Sequence, residues 1–147
     1  MMRMLVAFGW LFVAPASAAV AQEPPPFDAA LRAHLESVQA RDLAAFEATI
    51  TREPRMTLIF PDGRALRTRR EVLELHRDWF AATGWTWEPE VVATTVGADL
   101  AHALVRYRYG DPAGSRENWL SLVFRLEAGE WRLVHDQNTR IGSGDTG

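Results

Sequence analysis

The side chains best suited to chemistry stand near the C-terminus, in the run Trp131-Arg132-Leu133-Val134-His135-Asp136-Gln137-Asn138-Thr139. Imidazole titrates closest to neutral pH, so His135 is the candidate catalytic group, a general acid or base. Residues two apart in a strand share a face, so Gln137 and Thr139 accompany His135 while Asp136 points the other way and does not orient it. Segments 86 to 96, 100 to 109, 116 to 126 and 131 to 139 alternate with a period of two and read as an antiparallel meander. The turn at Ala128 and Gly129 pairs Leu126 with Trp131. That register sets Phe124 opposite Leu133, Leu122 opposite His135, Leu120 opposite Gln137 and Asn118 opposite Thr139. Carried back, the alternation pairs Tyr107 with Asn118 and Tyr109 with Arg116, and the turn at Gly97 to Asp99 sets Val91 against Val105 and Trp87 against Tyr109. The expectation is an aliphatic cup of Val91, Val105, Leu120, Leu122, Phe124 and Leu133, with Tyr107, Tyr109, Asn118, His135, Gln137 and Thr139 at its mouth. Sealing such polar groups without partners costs about 1 to 3 kcal/mol each, so they must line a cavity, bind water or satisfy one another. In an enzyme, His135 would move a proton while Tyr107 or Asn118 holds a carbonyl oxygen. In a structural role, His135 would bond Gln137 or a helix backbone.

The elements before the meander must roof this face. Phe27, Leu31, His34, Leu35 and Val38 fall on one helical stripe, predicting a helix over 28 to 40. Asp42 caps a second helix carrying Leu43, Phe46 and Ile50, which Pro54 stops. Met56 to Phe60 reads as a strand, turned back by Pro61, Asp62 and Gly63 into a brief hairpin. Thr68 and Glu71 form a capping box for a third helix bearing Val72, Leu75, His76, Trp79 and Phe80, with Gly84 in the position of a C-cap glycine. His76 either looks into the cup from above or is a satisfied core histidine, and His34 has the same two readings. Trp79 and Trp87 can stack on a flat apolar ligand or simply fill the core. His102 falls on the outer face, where Glu88, Arg108 and Glu117, and Glu90, Arg106 and Trp119, form cross-strand ladders.

Composition removes several classes. The chain has 147 residues, 48% hydrophobic and 24% charged, and no Cys. One domain is expected, without disulfides or thiolate sites. All 16 basic residues are Arg, which excludes Schiff-base lysines and a Walker-type phosphate lysine. No histidines stand at metal-ligand spacing and no carboxylates cluster, so neither a metal nor a cofactor is expected. The net charge of −3 lacks the basic stripe that nucleic acid requires.

The opening MMRMLVAFGWLFVAPASAAVAQ has a positive start at Arg3, an apolar stretch to Ala14, Pro15 and two competing A-x-A sites. This is the pattern of a secretory signal peptide over 1 to 21, cut after Ala21, and a periplasmic or secreted protein is expected. A membrane partner is not expected after cleavage, the apolar stretch being about half of the roughly 20 residues needed to span a bilayer. A Pro-rich lead at 22 to 26, a domain over 27 to 141 and a flexible tail at 142 to 147 complete the division.

Three segments carry a family resemblance: the helix ending ARDLAAFEATI, the hairpin IFPDGRAL with helix TRREVLELHRDWF, and ENWLSLVFRL leading through a Gly turn into WRLVHDQNTR. Together the chain resembles the nuclear transport factor 2-like superfamily, within it the SnoaL-like and kinase II association-domain-like groups, as a secreted bacterial member. The resemblance implies an α+β cystatin-like cone, with three N-terminal helices packed on a strongly bent antiparallel sheet around a pocket. It also implies a homodimer through the sheet's outer face. Many relatives carry two histidines one residue apart after the Trp; here the second position is Gln137. The ketosteroid-isomerase-like set of a pocket Asp with a Tyr/Asp donor pair does not map onto this chain residue by residue. Fold alone does not choose a function. The first reading is a binder of a small hydrophobic ligand, because no carboxylate joins the inward set. The alternatives are a cofactor-independent acid-base isomerase, lyase or hydratase using His135, and a dimerisation module using Trp119 and Val123.

Overall fold

The computed structural model describes residues 26 to 142 of the chain, so the leader and residues 143 to 147 lie outside the described residues. Three helices come first. Helix α1 (Phe27–Gln39) buries Phe27, Leu31, His34, Leu35 and Val38, the stripe expected from their spacing. Helix α2 (Leu43–Thr49) is capped by Asp42, whose carboxylate accepts from the Ala45 N–H at 2.9 Å. Strands β1 (Arg55–Ile59) and β2 (Ala65–Thr68) form the brief hairpin, its turn closed by Gly63 at φ +85°. Thr68 and Glu71 make both bonds of a capping box at the start of α3 (Arg69–Ala81). The helix ends on Ala82 in an extended conformation; Gly84, at φ +81°, serves the turn into the next strand instead of the cap.

The meander follows as β3 (Thr86–Val96), β4 (Leu100–Asp111), β5 (Gly114–Glu127) and β6 (Glu130–Arg140). Strand β6 also pairs in parallel with β1, giving a six-stranded mixed sheet in the order β2-β1-β6-β5-β4-β3. The architecture is the expected α+β one, helices on a sheet, with one parallel pairing the antiparallel reading did not contain. Phe124, Leu122, Leu133, Val105 and Ala103 are sealed at the centre of the core. Val91 is the exception among the residues expected there: it pairs with Val105 as foreseen but is 46% exposed. Strand β3 is the sheet's edge, and a bulge at Val92 turns it where little packs on it.

A second bulge decides the chemistry. Phe124 pairs with Leu133, but Val123 pairs with His135, leaving Val134 as an extra residue in β6. Beyond it the phase is inverted. Asp136 pairs with Leu122 and Asn138 with Leu120, on the inward face, while Gln137 pairs with Ser121 and Thr139 with Trp119 on the outer face. The inserted residue also adds twist where β6 must leave β5's register to meet β1, pairing Thr57 with His135 and Ile59 with Gln137.

Candidate functional site

Helices and sheet enclose a cavity of about 480 Å³. Its sheet wall is Tyr107 and Tyr109 from β4, Arg116 and Leu120 from β5, and Asp136 and Asn138 from β6. Helices α1 and α3 supply the roof with His34, Val38, Leu75, His76 and Trp79; Leu58, Trp87 and the hairpin residues Phe60, Pro61 and Arg64 complete the enclosure. The lining mixes apolar side chains with polar ones, Arg64 and Arg116 included, and polar groups converging between apolar walls are characteristic of a small-molecule site. A larger depression of about 780 Å³ lies elsewhere, around Arg52, Arg55, Arg125 and Arg132. Arg125 and Arg132 there already pair with Glu127 and Glu130.

Tyr107, Tyr109, Trp79, Trp87 and His76 are thus brought together around the cavity, while Asn118 is buried in the same wall between Arg116 and Leu120 without being part of its lining. His135, Gln137 and Thr139 are not brought there. The Val134 bulge puts all three on the outer face, so the inward placement of His135 beside Leu122 is corrected: its partner is Val123. Asp136, expected to face outward, is the residue that faces the cup. Asn138 and His34 join it.

A chain of hydrogen bonds fixes the new set. The Tyr107 hydroxyl donates to Asn138 Oδ1 at 2.8 Å, and Asn138 Nδ2 donates to Asp136 Oδ1 at 2.7 Å and to the Ile59 carbonyl at 3.1 Å. Asn138 is the sole hydrogen-bond partner of the carboxyl among the described residues. Loss of hydration on burial outweighs that bond and pushes the Asp136 carboxyl up to about 7. A carboxyl so placed is divided between its two protonation states at neutral pH, the condition for taking up and giving back a proton. Burial, helped by the Asp136 charge, also raises the Tyr107 phenol, so it stays a protonated donor.

The roof holds its imidazoles neutral. Burial brings His34 down to about 3, with His76 nearby adding to the effect, and brings His76 down to about 4 against the opposing pull of the Val72 carbonyl. The His76 ring stacks on Phe46 with centroids 3.9 Å apart, and His34 meets the same ring at 5.4 Å. Trp79 stacks on Trp85 at 4.5 Å, while Arg41 lies 4.0 Å above the Trp85 ring and donates to the Trp85 carbonyl at 2.6 Å. His34, His76 and Asp136 do not converge on a common point: among the described residues no three His, Cys, Asp or Glu side chains are grouped to hold a metal ion.

On the outer face the strand registers are those of the ladders, but Arg106 reaches diagonally to Glu117 instead of lying over Trp119. Glu117 pairs with Arg106 and, at 3.4 Å, with Arg108, and His102 meets the Ser121 hydroxyl at 2.7 Å. The misplaced set had little signal to reveal it. His135 to Thr139 are all polar, so alternation cannot say which of them face inward, and Val134 is apolar in either phase. The adjacent apolar pair Leu133-Val134, where strict alternation allows one, is the only trace of the bulge.

Comparison with known proteins agrees with this fold. The family model for the SnoaL-like domain matches residues 28 to 138. A solved structure from Thiobacillus denitrificans, a candidate calcium/calmodulin-dependent protein kinase type II association domain, is 25% identical with a TM-score of 0.70, covering 83% of this chain and 100% of that one. A domain of unknown function with a cystatin-like fold from Nostoc punctiforme is 22% identical, TM-score 0.66, over 80% of this chain and 76% of that one. A ketosteroid isomerase-like protein from Erwinia carotovora atroseptica is 21% identical, TM-score 0.66, over 78% and 93%. The curated proteins contain no match.

Proposed function

The chain belongs to the SnoaL-like domain family, and from that premise we propose that its cup takes up a small hydrophobic carbonyl compound and moves a proton on it, with Asp136 as the proton carrier. The observation that carries this reading is the place of the carboxyl, which lines the cavity with Leu120, Leu58, Trp87 and Tyr107 and, among the described residues, is bonded only by Asn138; loss of hydration there raises it toward neutral pH. As carboxylate, Asp136 takes a proton from the carbon beside the carbonyl; as the acid it returns that proton to the same or a conjugated carbon. Tyr107, whose hydroxyl hydrogen goes to Asn138 Oδ1 at 2.8 Å, steadies the developing oxygen charge by turning that hydrogen from Asn138 to the ligand oxygen. Isomerisation is the simplest outcome, and loss of a β-substituent makes the same first step a lyase reaction. His135, on the outer face, has no part in it.

Deuterium exchange of the α-protons of 2-tetralone, followed by proton NMR, tests the reading. The native chain is expected to exchange them roughly a hundredfold or more faster than Asp136→Asn, the usual worth of a positioned acid-base group. Equal rates refute Asp136 as carrier. Binding without exchange leaves the cup as a carrier of hydrophobic molecules.

We also propose that the chain is exported with removal of residues 1 to 21, supported by the leader's charge, apolar stretch and A-x-A sites. Mass spectrometry of the mature protein should then give Gln22 as its first residue. A homodimer through the outer face, where Trp119 and Val123 are half-buried, is proposed on the same footing. Sedimentation at micromolar concentration distinguishes it from a monomer.

A further inference from the structure

Two imidazoles from different helices meet the cavity in the same state, and the hydrogen bonds on their far sides show which state that is. His76 Nδ1 lies 2.7 Å from the Val72 carbonyl, which can only accept, so Nδ1 carries the hydrogen. His34 Nδ1 lies 2.8 Å from Thr49 Oγ1, whose single hydroxyl hydrogen is already committed to the Phe46 carbonyl at 2.7 Å. That oxygen must therefore accept as well, and His34 Nδ1 also carries the hydrogen. Burial keeps both rings uncharged at neutral pH. Each ring is left with a lone pair on Nε2.

Neither Nε2 has a partner among the described residues, yet neither is sealed. The sealed side-chain atoms without partners are Asn118 Oδ1 and Arg132 Nε alone. His34 and His76 are 2% and 4% exposed and both line the cavity, so the space their Nε2 atoms reach is the cavity. Such a nitrogen accepts a hydrogen bond. It cannot donate one, protonate a leaving group or stabilise an oxyanion.

We infer that the roof of the cup is a reader for a hydroxyl group on the ligand, accepted by Nε2 of His34 or His76, and that the substrate class is hydroxylated hydrophobic compounds. This rests on the reading of the cup as a ligand site. Asp136 and Asn138 act from the sheet wall while the imidazoles sit on the helix side, so the ligand would present its reacting carbon to β6 and its hydroxyl to α1 and α3. A ligand whose oxygen only accepts would leave both imidazoles unpaired on burial, the arrangement that discriminates most strongly between otherwise similar ligands.

Isothermal titration with 2-naphthol and 2-methoxynaphthalene, a donor and an acceptor of nearly one shape, tests the inference on the full mature chain. The native protein is expected to bind the naphthol roughly five- to tenfold more tightly, the worth of one net hydrogen bond. The preference should fall to near unity when His34→Phe and His76→Phe are combined, which keeps rings against Phe46. Nitrogen-15 NMR of the native protein guards against misfolding of that variant: naphthol, and not its methyl ether, should shift the Nε2 resonance of at least one of the two histidines. Equal affinities, or no Nε2 shift, overturn the inference. Repeating the titration on Asp136→Asn separates the two readings. A hydroxyl preference that disappears there belongs to the carboxyl and overturns the imidazole reader. One that persists supports it, even if 2-tetralone exchange fails and takes the proton-carrier reading with it.

Discussion

Replacing Asp136 by Asn should change how stability depends on pH, by an amount set by how much burial shifts the carboxyl. Asn keeps the shape and the oxygen that Asn138 Nδ2 bonds at 2.7 Å, but cannot titrate. The carboxyl has a value of 3.8 when free and is pushed up to about 7 in the fold. The folded protein therefore holds this proton more tightly than the unfolded chain does. The resulting stabilisation is fully present below the unfolded value and is lost as pH rises through about 7. At pH 5 the folded group is protonated and the unfolded one ionised, two units below the folded value, which amounts to about 2.7 kcal/mol at about 1.36 kcal/mol per unit. At pH 8 the contribution is gone. Urea unfolding of both proteins at pH 5 and pH 8 isolates it, because other groups titrate equally in the two and cancel. The native protein minus the variant should lose about 2 to 3 kcal/mol between those pH values. A difference that stays flat within about 0.5 kcal/mol refutes the buried, proton-sharing carboxyl and with it the mechanism proposed for the cup.

Other consequences follow from the same residues. His34 and His76 are lowered from 6.5 to about 3 and about 4, so their contribution is present above 6.5 and lost as pH falls, each by up to about 1.4 kcal/mol per unit; in the Asp136→Asn protein, where the opposing gain from the carboxyl is absent, urea midpoints should decline on the acid side, and a level profile from pH 6.5 to 4.5 there would contradict their neutral burial. Asn138→Leu removes the one bond that holds Asp136 down, and carbon-13 titration of the carboxyl should find it higher than in the native chain; an unchanged or lower value would mean the bond is not made. Phe124→Ala empties a sealed site that meets Phe27 edge-on at 5.2 Å, and denaturant unfolding should record a loss of about 3 to 5 kcal/mol, with less than about 1.5 arguing that the core does not sit there.

How far the sequence revealed this site depends on which forces wrote each part of it. Helices α1 and α3 could be read because burial repeats along them every third or fourth residue, and because the Thr68-Glu71 box is local chemistry. The register of β3, β4 and β5 could be read up to Val91 because short turns fix it and the opposing charges of Glu88, Arg108 and Glu117 agree with it. What failed was strand phase at one peptide. Nothing local marks a bulge at Val134; it lies where β6 starts to pair in parallel with β1, whose partners stand 78 residues earlier (Thr57 with His135). Since a side chain changes face with each residue, that single insertion exchanged an imidazole for a carboxyl inside the cup and turned a candidate binder into a candidate acid-base site. The resemblance to a known fold supplied the cup but not its chemistry, because one architecture hosts many different sites. A polar run at the end of a final strand therefore cannot be assigned inward and outward members by counting. It takes the long-range pairing, seen here as Leu58 beside Asp136, to say which of them the helices cover.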